Sequence, residues 1–150
     1  MKLLEPGAEL DGFIVEECIH SGGMAHIYRV HYAQTEREGA RDPGFPLAMK
    51  VPRMTAADGA ENIVSFEVEH RIMQVLTGSH VPRFVAAGDL ENVPYLVMEY
   101  VHGKTLDQWL EAPQRPTVDE LVQLGAATAL AVHSLHQQDT VHLDLSLIHI

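Results

Sequence analysis

The chain has 150 residues, enough for one ordinary domain and too few for two complete ones. Hydrophobic residues make up 46% and charged residues 21%, a globular balance that excludes a disordered or collagen-like chain. Ten Lys and Arg against 21 Asp and Glu leave a net charge of −11, which argues against nucleic acid or an anionic membrane as partner. The single cysteine, Cys18, excludes an intrachain disulfide and suits a reducing compartment; in its apolar stretch it reads as a small core residue. Leu121 to Leu135, the most apolar stretch, is broken by Gln123, Thr128, His133 and Ser134 and is too short to span a bilayer. Glu5, Pro6, Glu9 and Asp11 interrupt any secretory signal, so the expected location is cytoplasmic.

In chain order, Leu10 to Ile19 is rich in β-formers and predicts a strand, after a tail over residues 1–9. His20-Ser21-Gly22-Gly23 marks a turn, and His26 to Tyr32 reads as the hairpin partner. Ala33 to Gly44 is polar and punctuated by Gly and Pro, hence an exposed loop. Pro46 to Val51 is a third strand. From Ala60 to Leu76, apolar residues at Ile63, Val64, Phe66, Val68, Ile72, Met73, Val75 and Leu76 fall mostly at helical spacing. Arg83 to Ala87 and Tyr95 to Tyr100 complete five strands, joined by a turn through Gly88 to Asn92. After Gly103 the pattern turns helical: a short helix over Thr105 to Glu111, then one opened by the capping box Thr117-Val118-Asp119-Glu120 and running to Gln138. The expected class is α+β, a five-stranded antiparallel sheet with one inserted helix, followed by helices.

Certain residues stand out within this order. Gly22 and Gly23 sit at a strand–turn–strand, in Ser21-Gly22-Gly23-Met24-Ala25-His26-Ile27-Tyr28-Arg29. Lys50 follows Ala48-Met49 on the next strand, and the inserted helix carries Glu67 and Glu69. Met98-Glu99-Tyr100-Val101 lies on a later strand, and Val141-His142-Leu143-Asp144 comes near the end. The set, over residues 10–144, resembles the protein kinases, and specifically the bacterial Ser/Thr kinases of eukaryotic type. That resemblance implies a small lobe and hinge over 10–101 and the start of a large lobe over 102–144.

The family's chemistry rests on positioning and charge neutralisation. By resemblance, Gly22 and Gly23 admit a triphosphate close to the backbone, and Lys50 neutralises its α- and β-phosphates. Glu69 is the helix partner of Lys50. Glu67, about 200° away around the helix, cannot face the same lysine and reads as a solvated charge. Ile19, Ile27 and Ala48 would roof the adenine, with Met98 as gatekeeper; the backbone of Glu99 and Val101 would read its edge, and Thr105 would fall near the ribose. Asp144 aligns with the residue that accepts the substrate hydroxyl's proton, and His142 with a structural histidine stacked with Met73 and Phe84. The implied cofactors are ATP and Mg2+, and the implied partner is a protein substrate. His133 and His136 lie three apart on one helix, but no carboxylate or Cys completes a ligand set, so no metal site is expected there.

The sequence also departs from the family. His20 and Ala25 stand where the glycine loop has its first and third glycines, and Leu143 replaces the Arg that pairs with an activation-loop phosphate. Leu145 to Ile150 replaces the family's Leu-Lys-Pro-x-x-Asn and translates the transposon end CTGTCTCTTATACACATC of sequencing libraries, so this tail is expected to be non-native. The expected function is that of a Ser/Thr protein kinase whose amino-terminal fragment is inactive alone. A pseudokinase or nucleotide-binding scaffold and a small-molecule phosphotransferase are the alternatives.

Overall fold

The computed structural model describes residues 3–33, 43–53, 59–88, 93–111, 113 and 115–142. Most of the 33–44 loop, Asp89 to Asn92 of the turn, and Leu143 to Ile150, with Asp144 among them, lie outside the described residues.

Strands form where β-branched and aromatic residues alternate with polar ones: β1 (Glu9–Leu10), β2 (Phe13–Ser21), β3 (Ala25–Tyr32), β4 (Leu47–Pro52), β5 (Phe84–Ala87) and β6 (Leu96–Glu99). They make one antiparallel sheet in the order β1-β2-β3-β4-β6-β5. The sheet has six strands where five were expected. Asp11 and Gly12, with φ of 49° and 82°, form the tight turn that folds β1 back onto β2. Part of the expected tail is therefore ordered: the Gly7 N–H donates to the Val15 carbonyl, the Val15 N–H to that of Ala8, and the Leu4 N–H to the Tyr28 hydroxyl.

One face of the sheet carries the core, from Phe13 and Val15 through Tyr28, Val30, Leu47, Met49 and Val51 to Tyr95 and Val97. Cys18 is exposed, contrary to the core position expected of it. The core on β2 ends at Val15, and irregularities at Val15/Glu17 and Cys18/His20 carry the strand past it. The helix α1 (Gly59–Val75) contacts β4 and β5 and buries Phe66, while Val64, Val68 and Val75 stay exposed.

The chain divides into two compact units, Met1–Val75 with Pro82–Val101, and Leu76–Val81 with His102–Ile150. The second holds α2 (Leu106–Leu110) and α3 (Val118–His136). The expected capping box is present: Thr117 Oγ1 accepts from the Glu120 N–H, and the Glu120 carboxylate accepts from the Thr117 N–H at 2.7 Å. Gln138 fastens the segment at 76–81 to the end of α3, accepting from the Thr77 N–H at 2.9 Å and donating to the Thr77 carbonyl at 3.0 Å. No residue of α3 is buried, and an apolar groove beside it is lined by Leu106, Leu121, Leu124 and Val132. Among the described residues, no helix is long and apolar enough to cross a membrane.

Candidate active site

The register of the sheet decides which side chains share the face opposite the core. Directly paired residues project to the same side. Ile27 pairs with Lys50, Ala48 with Met98, and Lys50 with Leu96, so Ile27, Ala48, Lys50 and Met98 lie on one face. Ala48 is buried, and Ile19, Ile27 and Met98 are half-buried. Apolar side chains of different shape there, the methyl of Ala48 between branched Ile27 and unbranched Met98, make a surface of the kind that accepts a flat aromatic ligand.

On that face α1 brings a carboxylate to the lysine. Lys50 Nζ donates to both oxygens of Glu69, at 2.7 Å and 2.6 Å. The side chains are 27% and 35% exposed, so each charge keeps partial access to solvent. A symmetric contact of this length is a charge-assisted pair and fixes where the ammonium sits. Both bonds from Lys50 go to Glu69; Glu67, two residues earlier, points about 200° away around the helix.

At the end of the same hairpin, the Gly22 N–H donates to the Ala25 carbonyl at 3.0 Å, closing a two-residue turn of Gly23 and Met24. Met24 is exposed. A Cβ on Gly22 would lie 3.1 Å from His20 Nε2 and 3.7 Å from the Ala25 carbonyl oxygen. The imidazole that replaces the first loop glycine therefore leans along the turn, close enough that a side chain at residue 22 would have to push it aside by a few tenths of an ångström. Gly23 has open space around it.

The strand edge at Glu99 is braced by Arg83, the residue before β5. The Glu99 N–H donates to the Arg83 carbonyl at 2.9 Å, and the Arg83 guanidinium donates Nε and Nη2 to the Glu99 carboxylate at 3.0 Å and 3.1 Å. That fork holds the Glu99 carboxyl below its ordinary range. Arg83 also stacks over the Phe45 ring, 3.7 Å from its centre. The Tyr100 N–H donates to the Pro46 carbonyl, so the backbone leading to Val101 is anchored on both sides of Glu99. Val101 is exposed, as is Thr105 in the second unit, where its Oγ1 accepts from the Gln108 N–H at the start of α2. Phe84 faces the ring of His70, 6.1 Å between centres, a pairing that the helical spacing gave no reason to single out. Sequence reasoning missed the Arg83 fork and a second arginine, Arg53, that bonds to the glycine turn. An arginine beside a strand end carries no motif, so no signal distinguished either from a surface charge.

A family model described as protein tyrosine and serine/threonine kinase matches residues 13–150. The chain belongs to this kinase family. It is 28% identical to the serine/threonine-protein kinase PrkC of Bacillus subtilis over 127 residues, 85% of this chain and 18% of that protein. It is 32% identical to the Citron rho-interacting kinase of Rattus norvegicus over 116 residues, 77% of this chain and 6% of that one. The chain thus spans less than a fifth of the length of these curated relatives. The Mycobacterium tuberculosis PknI kinase domain superposes with a TM-score of 0.75 at 23% identity, covering 97% of this chain and 56% of that one. A structure titled "PpkA-294 apo form" gives 0.77 at 20%, again over 97% and 56%. These likenesses establish the kinase fold.

Magnesium has no protein-borne ligand set among the described residues, where no group of three His, Cys, Asp or Glu side chains could hold a metal.

Proposed function

We propose that the protein of which this chain is part transfers the γ-phosphoryl group of ATP to a serine or threonine hydroxyl of another protein. The observation that carries the reading is the pair of contacts from Lys50 Nζ to both Glu69 oxygens, on the face shared by Ile27, Ala48 and Met98. A lysine held there by a carboxylate presents a fixed positive charge to an anionic ligand, which positioning-dominated phosphoryl transfer requires. In this reading Ile19, Ile27, Ala48 and Met98 receive the adenine, Glu99 and Val101 read its edge through their backbone, and Thr105 serves the ribose. Gly22 and Gly23 let the turn approach the phosphates. The Glu99 N–H is already taken by Arg83, so the Glu99 contribution falls to its carbonyl. Asp144 accepts the substrate hydroxyl's proton. Residues 10–101 serve as the small lobe with its hinge and 102–144 as the start of the large lobe.

Magnesium, when bound, neutralises the β- and γ-phosphates; the family draws its ligands from segments following the catalytic Asp, and Leu145 to Ile150 contains no Asn or Asp. The 150-residue chain by itself is accordingly expected to bind nucleotide without transferring phosphate. The test is a radiolabelled-ATP assay on this chain, beside a longer version that carries the genomic continuation and the Lys50→Met and Asp144→Asn variants of that version. Transfer by the longer version, lost in both variants and absent from the chain alone, is the expected result. No transfer by the longer version with ATP still bound would favour the pseudokinase reading, to which His20 beside Gly22 points.

A further inference from the structure

None of the roles above uses Arg53, yet this residue grips the glycine turn at three points. It follows Pro52, the last residue of β4. Its backbone N–H donates to the Met24 carbonyl at 2.7 Å. Its Nη1 donates to the Gly22 carbonyl at 3.0 Å, and its Nε to His26 Nε2 at 3.2 Å. His26 is 7% exposed, and its Nδ1 lies 2.9 Å from Ser21 Oγ. The turn is therefore tied to β2 through Ser21, to β3 through His26 and to the end of β4 through Arg53.

These partners fix the proton on the ring. A guanidinium only donates, so His26 Nε2 must accept, and the single proton of the neutral imidazole sits on Nδ1 and is donated to Ser21 Oγ. A second proton could go only to Nε2. It would set an N–H against the Arg53 N–H and one positive charge against another, and the contact could not persist.

We propose that Arg53 and His26 are positioning residues for the turn that meets the phosphates, and that they hold it only while His26 is neutral. The phosphate-facing part rests on the nucleotide-binding reading given above; the hold itself does not. Among the described residues, the groups facing the imidazole are Ser21 from β2, Tyr28 along β3 with ring centres 6.2 Å apart, and Arg53 just after β4. Burial raises the Tyr28 phenol's pKa, so it stays neutral and supplies no counter-charge to a protonated ring. Burial first, and the Arg53 charge second, hold the His26 pKa below the ordinary histidine value. Between the lowered value and about 6.5, the unfolded chain binds a proton that the folded one refuses. The contribution of the neutral ring is thus complete above about pH 6.5 and is lost as pH falls through the lowered value.

The test is made on the full 150-residue chain, 15N-labelled at histidine and backbone, with the Arg53→Met and His26→Gln variants. At pH 7.5 the His26 proton should be on Nδ1, and the Gly22 amide should be protected from exchange. Arg53→Met should raise the His26 pKa and speed Gly22 exchange by roughly tenfold, the loss expected of hydrogen bonds from a charged donor. The unsubstituted chain should lose ATP affinity as pH falls through the lowered His26 value; His26→Gln keeps an acceptor but cannot titrate, so it should keep Gly22 protected and abolish that loss. A proton on Nε2 at pH 7.5 would overturn the proposal, as would an Arg53→Met variant with unchanged His26 titration and Gly22 exchange. Should His26→Gln not fold, the tautomer and the Arg53→Met exchange rate still decide. Failure of the unsubstituted chain to bind ATP at any pH would overturn the nucleotide-binding reading alone, because the ring and amide measurements need no nucleotide.

Discussion

Single residues at the turn pull in different directions. His20 occupies the position of a glycine in the family loop, and its ring already lies within 3.1 Å of where a Gly22 side chain would begin. It is exposed, so closing the turn over a triphosphate must move or crowd an imidazole rather than compress a buried one. His20→Gly should therefore tighten ATP binding, read by calorimetric titration on the full chain. Unchanged or weaker binding would mean that the ring is accommodated, or itself contacts the ligand. The pairing of Lys50 with Glu69 was legible only through the resemblance to the protein kinases, whose Ala-x-Lys strand and helix carboxylate these residues match; the helical spacing by itself said only that Glu67 and Glu69 face different ways. The grip of Arg53 was not legible. It depends on a hydrogen-bond partner, His26, that only the strand register brings within reach.

Among whole elements, α3 shows how local chemistry can define a helix that has little packing. It buries none of its residues, so its first turn depends on the reciprocal bonds of Thr117 and Glu120 more than a core helix would. Thr117→Ala should cost about 1 kcal/mol of stability, measured by urea unfolding followed by far-ultraviolet circular dichroism. Hydrogen bonds from Thr117 hold the Glu120 carboxyl below its ordinary range. This contribution is present above the usual carboxylate pKa and is lost as pH falls through the lowered one, so the Thr117→Ala difference should shrink in acid. A difference that stayed constant to pH 3 would show that the carboxylate plays no part in the cap. This helix was legible in the sequence because a capping box is a local signal. The sixth strand was passed over although Asp11-Gly12 is itself a hairpin signal, since two residues of β1 show no alternation. Exposure of Cys18 had no such signal: a β-bulge arises from pairing between strands, and the composition of one strand does not reveal it.

At the scale of the whole molecule, the backbone passes from one unit to the other three times, near residues 75, 81 and 101. The sheet unit is consequently discontinuous in the chain, and the six residues Leu76–Val81 that interrupt it belong with the helices. The consequence is temporal. Thr77 finds its hydrogen-bond partner in Gln138, 61 residues later. A ribosome adding residues at about 5–20 per second would leave that partner missing for several seconds after Thr77 emerges. Sheet pairing needs nothing beyond Val101 and can finish in that interval, whereas the short stretch between α1 and β5 has to wait. Nascent chains arrested with Val101 outside the ribosomal tunnel should resist protease across the strands and be cut between Leu76 and Val81. Arrest beyond Gln138 should close that site, and Gln138→Ala should keep it open.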